Sequence, residues 1–183
     1  MKIFKIAAVS IIAFTGLILV VGFLLPSQWS VERSVQIQAP TKVIYPYLVN
    51  FKTGWSEFSD FDNKDPDIQY FYVGPAEGVG SSRTWKSPQM GDGQQTIVKA
   101  DPETGIQFEL QVLKNGFLLN GEIKMEPLPG GATKVTWHDW GTTGNNVLFR
   151  YMAAFTDKMM GKTFESSLEK LKRKAEVKSA LTK

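Results

Sequence analysis

The chain has no cysteine and only one histidine. Without thiols there can be no disulfide, no thiolate-bound zinc and no cysteine nucleophile. With His138 as the sole imidazole, a histidine-rich metal centre is excluded as well, and no metal is expected. Absence of cysteine leaves the redox compartment open, because such a chain is stable on either side of a membrane. A surplus of one charge is also lacking. The net charge is +3, and Lys2 and Lys5 supply two of those charges. With these two set aside, 19 basic residues face 18 acidic ones. No face able to neutralise phosphates is expected, so nucleic acid is not an expected partner. Internal repeats and low-complexity linkers are missing too. No Gly-x-Ser-x-Gly elbow occurs. Gly78-Val79-Gly80 and Gly91-Asp92-Gly93 do not open helices and are not phosphate loops. Asp60, Asp62, Asp65 and Asp67 imitate a calcium loop but lack its central glycine and closing glutamate, so a solvated loop is expected there. No motif requires a cofactor.

What the sequence does have is one long apolar run. It begins at Ile6, ends at Leu25 and contains no charge in 20 residues. As a helix rising about 1.5 Å per residue it spans the roughly 30 Å hydrocarbon layer. A cleaved signal has a shorter apolar region and a small-x-small site, which Leu24-Leu25-Pro26-Ser27-Gln28 does not match. An uncleaved membrane anchor is therefore expected over residues 1–28, with Pro26 ending the helix and Trp29 at headgroup level. Lys2, Lys5 and the amino terminus precede the run, while Arg33 is the first basic residue after it. The positive-inside rule then keeps the N-terminus cytoplasmic and places the domain outside the cytoplasm.

Residues 29–178 read as one domain, followed by a polar tail at 179–183. In residues 31–38, Val31, Val35 and Ile37 alternate with polar positions, as in a half-buried strand. Thr41 can cap a short helix, and a second helical turn is expected over 51–57. Period-two segments follow at 68–73, 81–86, 91–100, 106–112, 117–126 and 133–140. Gly, Pro and Asp turns separate them, and Asn115-Gly116 is a hairpin signal. Leu148, Met152, Phe155 and Met159, then Phe164, Leu168 and Leu171, keep helical spacing, which predicts a long helix over 147–178, interrupted near Gly161. The cluster Lys170, Lys172, Arg173, Lys174 and Lys178 complements its C-terminal dipole.

This order (a strand, two short helices, six strands, a long helix) predicts an α+β fold of seven antiparallel strands curved around the C-terminal helix. Two layers of different curvature enclose a cavity. Trp85, Gln95, Ile97, Phe108, Leu110, Trp137, Asp139, Met152, Phe155 and Met159 are the residues expected to line it and bind a ligand. Asp139 shares the inward face of Val135 and Trp137. Its simplest role is to cap the following turn, but at a cavity rim it could hold a polar ligand group, its pKa raised by desolvation. Gln95 could offer an amide. The methionines are core filler or an adaptable lining. His138 points to the opposite face and lacks an identifiable partner, so no catalytic residue is assigned.

Several strings are familiar. Val31-Glu32-Arg33-Ser34-Val35-Gln36-Ile37-Gln38-Ala39-Pro40, the stretch 43–55 with Asn50 for a usual Asp and Ile44 for a usual aromatic, Gly78-Val79-Gly80-Ser81-Ser82 with Trp85, Gly131-Ala132-Thr133-Lys134-Val135-Thr136-Trp137, and Gly161-Lys162-Thr163-Phe164-Glu165 with Leu168 and Leu171 occur in order. Together they resemble the polyketide cyclase/dehydrase group of the START-like (SRPBCC, Bet v 1-like) helix-grip superfamily over residues 30–175. The resemblance implies a deep apolar pocket between sheet and helix. It leaves three functions open: a membrane-anchored module binding an apolar small molecule or lipid, a cyclase-like enzyme working in the same pocket, or a protein-interaction module of chaperone-activator type.

Overall fold

The computed structural model describes residues 2–113 and 117–182. Helix α1 (Lys2–Leu24) is followed by strand β1 (Gln28–Ile37), helix α2 (Thr41–Val49), a π-helical turn (Phe51–Trp55) and the single turn α3 (Ser56–Phe58). Six strands come next: β2 (Gln69–Val73), β3 (Ser82–Lys86), β4 (Gly93–Asp101), β5 (Gly105–Val112), β6 (Phe117–Pro127) and β7 (Thr133–Thr142). Helix α4 (Val147–Leu181) closes the chain. All seven strands form one antiparallel sheet in the order β1-β7-β6-β5-β4-β3-β2. The fold class read from the sequence is the one observed. The Asn115-Gly116 turn lies outside the described residues.

Alternation in β1 places Trp29, Val31 and Ile37 in the core. Arg33 shares that face, and its guanidinium crosses over Gly161 of α4 to reach Asp157 at 2.8 Å and Glu165 at 2.7 Å. The break expected near Gly161 is therefore not a break. A side chain there would collide with Arg33, so glycine keeps the helix continuous while the strand's arginine lies across it. Two smaller corrections concern helix ends. Pro40 is the N-cap of α2 and Thr41 its first helical residue, with its hydroxyl turned to Glu103. Helix α4 continues to Leu181, so residues 179–181 of the expected tail belong to it. Asn50 caps the π-helical turn by accepting from the Lys52 and Thr53 amides at 3.0 and 2.9 Å. That needs only a side-chain oxygen, which an amide supplies as well as a carboxylate.

The core centres on Trp55. Its ring meets Phe51, Phe58, Phe108 and Trp137 at 5.3–5.5 Å, and its indole N–H donates to the Leu48 carbonyl at 2.7 Å. From α4, Phe164 stacks on Trp137 at 4.5 Å, and Leu168, Leu171 and Ala175 are buried below it. The C-terminal half of α4 thus grips the sheet. Its basic side chains do more than complement a dipole: Lys170 pairs with Asp60, Lys174 with Glu57, and Lys178 lies over Tyr47. The N-terminal half differs, since Leu148, Met152, Phe155 and Met159 are all more than half exposed.

Helix α1 is long and apolar enough to cross a membrane, and most of its side chains are exposed. Leu25, Pro26 and Ser27 alone separate it from β1. Its last turns touch α4. Gly22 lies against Val147 and Tyr151, the Tyr151 hydroxyl donates to the Ile18 carbonyl at 2.7 Å, and Arg150 donates to the carbonyls of Phe23 and Leu25 at 2.8 and 3.4 Å. The arginine thus satisfies carbonyls that a helix end leaves open.

Candidate functional site

The cavity lies between the sheet and the N-terminal half of α4, at the end where β1 begins and α4 starts. Its volume is about 410 Å³. Trp55 and Trp137 form its floor. The sheet contributes Trp29, Arg83, Trp85, Gln95, Leu110, Val112, Leu119 and Asp139. Phe149, Met152, Ala153, Thr156, Met159 and Met160 of α4 form the roof, and Phe61, Tyr70, Met90 and Thr143 close the sides.

Seven of the ten residues expected from the sequence meet here: Trp85, Gln95, Leu110, Trp137, Asp139, Met152 and Met159. Three do not. Ile97 and Phe108 are cross-strand partners one step deeper than the Gln95–Leu110 pair, where α2, the π-helical turn and α3 fill the space. They face inward, as alternation required, but into solid core. Phe155 is 59% exposed. The inward stripe of α4 is Phe149, Ala153, Thr156 and Met160, and the stripe read from the sequence is rotated off it. Trp29, expected at headgroup level, has its side chain buried in the cavity wall against Gly141.

Asp139 is the most unusual group. It is 4% exposed, and its Oδ1 accepts the Trp137 indole N–H at 2.9 Å. Burial pushes its pKa up to about 8, the indole bond opposing this only in part. At neutral pH the side chain is a protonated acid, able to donate a hydrogen bond into the cavity. It caps no turn. Room for it comes from its β6 partner Gly121, where a Cβ would strike both Phe108 and the Asp139 carboxyl.

The second polar group was not anticipated. Arg83 is 4% exposed on β3, on the same face as Trp85. Its Nε donates to Gln95 Oε1 at 3.0 Å and its Nη1 to both carboxylate oxygens of Asp62 at 3.0 and 3.1 Å. The rings of Phe51, Trp55 and Tyr70 surround the guanidinium at 4.9–5.2 Å. The Tyr70 hydroxyl donates to Asp62 at 3.0 Å, and burial holds its pKa well above the ordinary phenol value. Gln95 therefore orients Arg83, where the sequence suggested a free amide. The expected solvated loop is also corrected. Asp62 turns inward to Arg83, and Asp65, 1% exposed, accepts from Ser87, Asp67 and Gln89. Among the described residues no acidic or histidine cluster could hold a metal ion.

His138 lies on the other face of β7. Its ring stacks on Trp140 at 4.7 Å, and Nδ1 is 3.8 Å from Glu122. It has no access to the cavity.

The profile of the family described as polyketide cyclase / dehydrase and lipid transport matches residues 28–176. The chain belongs to this family. No curated protein matches the sequence. Solved structures with the same helix-grip fold include protein CV1439 from Chromobacterium violaceum, 13% identical with TM-score 0.57, covering 80% of this chain and 96% of that one. The di-domain ARO/CYC StfQ from the steffimycin biosynthetic pathway is 12% identical with TM-score 0.61, covering 84% of this chain and 52% of its own. Ara h 8.0201 is 14% identical with TM-score 0.53, covering 79% and 97%. At such identities these likenesses show the fold, and for this polyketide cyclase/dehydrase and lipid transport domain the ligand must be argued from its own cavity.

Proposed function

We propose that the protein is a membrane-anchored binding module that holds an apolar small molecule or lipid in the cavity under α4. One observation carries this reading: an open cavity of about 410 Å³ whose wall is aromatic and methionine-rich, with few polar groups. Such a space is of ordinary size for a small-ligand site. Its charges are also balanced. Arg83 is neutralised by Asp62, and Asp139 is a neutral acid below pH 8. An uncharged apolar ligand with one hydroxyl or carbonyl for Asp139 suits it best. Helix α1 supplies the anchor, with its N-terminus on the cytoplasmic side and the domain on the other.

The test uses a fragment that begins at Ser27, which keeps the Ser27 carbonyl accepting from Thr143. Solvent extraction and mass spectrometry are expected to find a bound apolar compound, and the uncharged probe N-phenyl-1-naphthylamine to fluoresce on binding. Ala153→Trp fills the roof and is expected to weaken probe binding by about tenfold or more, about 1.4 kcal/mol. A folded fragment with no extractable compound and no probe binding refutes the reading.

A second reading, catalysis of the cyclase kind, is favoured by Asp139 alone, because a buried acid titrating near neutrality inside a cavity suits proton transfer. It requires Asp139→Asn to abolish turnover of a substrate found by screening while probe binding persists.

A further inference from the structure

The exposed stripe of α4 needs an occupant. Leu148, Met152, Phe155 and Met159 recur at helical spacing, yet they are 67%, 54%, 59% and 65% exposed. At roughly 100° per residue, Val147 and Tyr151 face α1, while Phe149, Ala153, Thr156 and Met160 face the cavity. The exposed stripe lies between these two directions, beside α1 and at the cavity's edge, where Met152 and Met159 belong to both stripe and lining.

The height of this stripe is fixed by α1. The span Phe4–Leu24 covers about 31 Å as a helix, close to the full hydrocarbon thickness. Tyr151 reaches the Ile18 carbonyl, six residues before the end of that span, or about 9 Å below its upper edge. Arg150 meets the carbonyls of Phe23 and Leu25 at the edge itself. Arg150 at the edge is an ordinary interfacial anchor, and Tyr151 reaches from there into the hydrocarbon level with its hydroxyl satisfied by a backbone carbonyl. Leu148, Met152 and Phe155 are within one turn of them. Lys158 and Lys162, both exposed, flank the stripe and suit lipid phosphates. At the same end of the sheet, beyond the Leu119–Gly141 pair, Leu113 and Leu118 are half exposed.

We propose that the Leu148–Met152–Phe155–Met159 stripe is embedded in the bilayer interface next to α1, so that the cavity opens onto the leaflet and takes its ligand from lipid, not from water. This rests on α1 spanning the membrane, as in the reading above. Met152 and Met159 are then the boundary between bilayer and cavity, and a ligand crosses it without meeting bulk solvent.

Since the chain has no cysteine, one introduced cysteine labels one site. The full chain is reconstituted in vesicles of phosphatidylcholine and phosphatidylglycerol and labelled with the environment-sensitive dye NBD at Leu148→Cys, Phe155→Cys, Leu17→Cys or Val177→Cys, all exposed positions outside the cavity. Doxyl-labelled lipid and aqueous iodide are the two quenchers. The dye at 148 and 155 is expected to be blue-shifted, quenched about twofold or more by doxyl lipid and shielded from iodide. At 177, on the far end of α4, the pattern should reverse. If 148 and 155 respond to iodide as 177 does while 17 responds to doxyl lipid, the embedding is wrong and the anchor stands. If 17 also responds to iodide, the anchor itself fails. If 148 and 155 are shielded from both quenchers, protein covers the stripe, and the proposal is overturned in favour of self-association.

Discussion

At the scale of single residues, Asp139 and Arg83 follow opposite strategies for surviving burial. Arg83 keeps its charge by pairing with Asp62 and by lying among three aromatic rings. Such a pair is costly to break, since either partner alone is an uncompensated buried charge. Asp139 has no cation and gives up its charge instead. Its folded pKa lies above the unfolded value, so the native state binds more protons than the unfolded chain between about pH 4 and 8, and stability falls as pH rises through that window. Thermal unfolding of the wild type is expected to shift to lower temperature from pH 5 to pH 8. Asp139→Asn keeps an oxygen for the Trp137 indole and should remove that dependence, at up to about 1.4 kcal/mol per pH unit, stabilising the protein most at the alkaline end. Equal pH slopes for the two proteins would contradict the assignment. Alternation made Asp139 legible from the sequence, because Val135, Trp137 and Asp139 must share a face. The same rule applied to Ser81, Arg83 and Trp85 would have found Arg83, but a charged residue on a short strand reads as solvent-facing until its partner is known, and Asp62 lies in a loop whose path no local pattern describes.

At the scale of elements, strand periodicity was more faithful than helix periodicity. A strand has only two faces, and all seven strands were legible as such. Helix α4 has a continuous circumference, and its most apolar stripe in the first half is not the one that faces the cavity. Phe149, Ala153, Thr156 and Met160 hold the inward position although two of them are small or polar. Hydrophobicity marks the side that leaves water, and α4 has two candidates for that, the cavity and the outer surface beside α1. Depth along a strand was equally illegible: Ile97 and Phe108 have the same pattern as Gln95 and Leu110 but sit under α2 and the π-helical turn. The middle of β6 carries its own test. Gly121 provides the space in which Phe108 and Asp139 meet its strand, so Gly121→Ala is expected to destabilise the protein by about 1–3 kcal/mol in denaturant titration, through overpacking. An unchanged midpoint would mean that the cavity wall relaxes freely.

At the scale of the molecule, the core of Trp55, Trp137 and Phe164 is built without α1, whereas Val147 and Tyr151 pack against it and Leu148 and Phe155 stay exposed. A fragment starting at Ser27 is therefore expected to fold, with the near-ultraviolet circular dichroism of packed tryptophans, and still to float with anionic vesicles. Leu148→Asp with Phe155→Asp should abolish flotation and leave the spectrum unchanged. Flotation unaffected by the pair would place membrane contact elsewhere. The general plan, an apolar helix followed by a sheet gripping a long helix, was legible because each part has a strong period. Their junction was not: Tyr151 with Ile18, and Arg150 with Phe23 and Leu25, join segments more than 120 residues apart through backbone carbonyls, which leave no trace in side-chain pattern.

The connection between α1 and β1 has a consequence for range. Leu25, Pro26 and Ser27 can extend only about 10 Å, and Arg150 ties the first of them to α4. With α1 in a bilayer, as proposed, the domain would be on a short leash and could not swing across an aqueous gap to a distant acceptor. On the proposed reading, a ligand would be exchanged at the bilayer that holds α1, and an acceptor, whether a second membrane or another protein, would have to come to it.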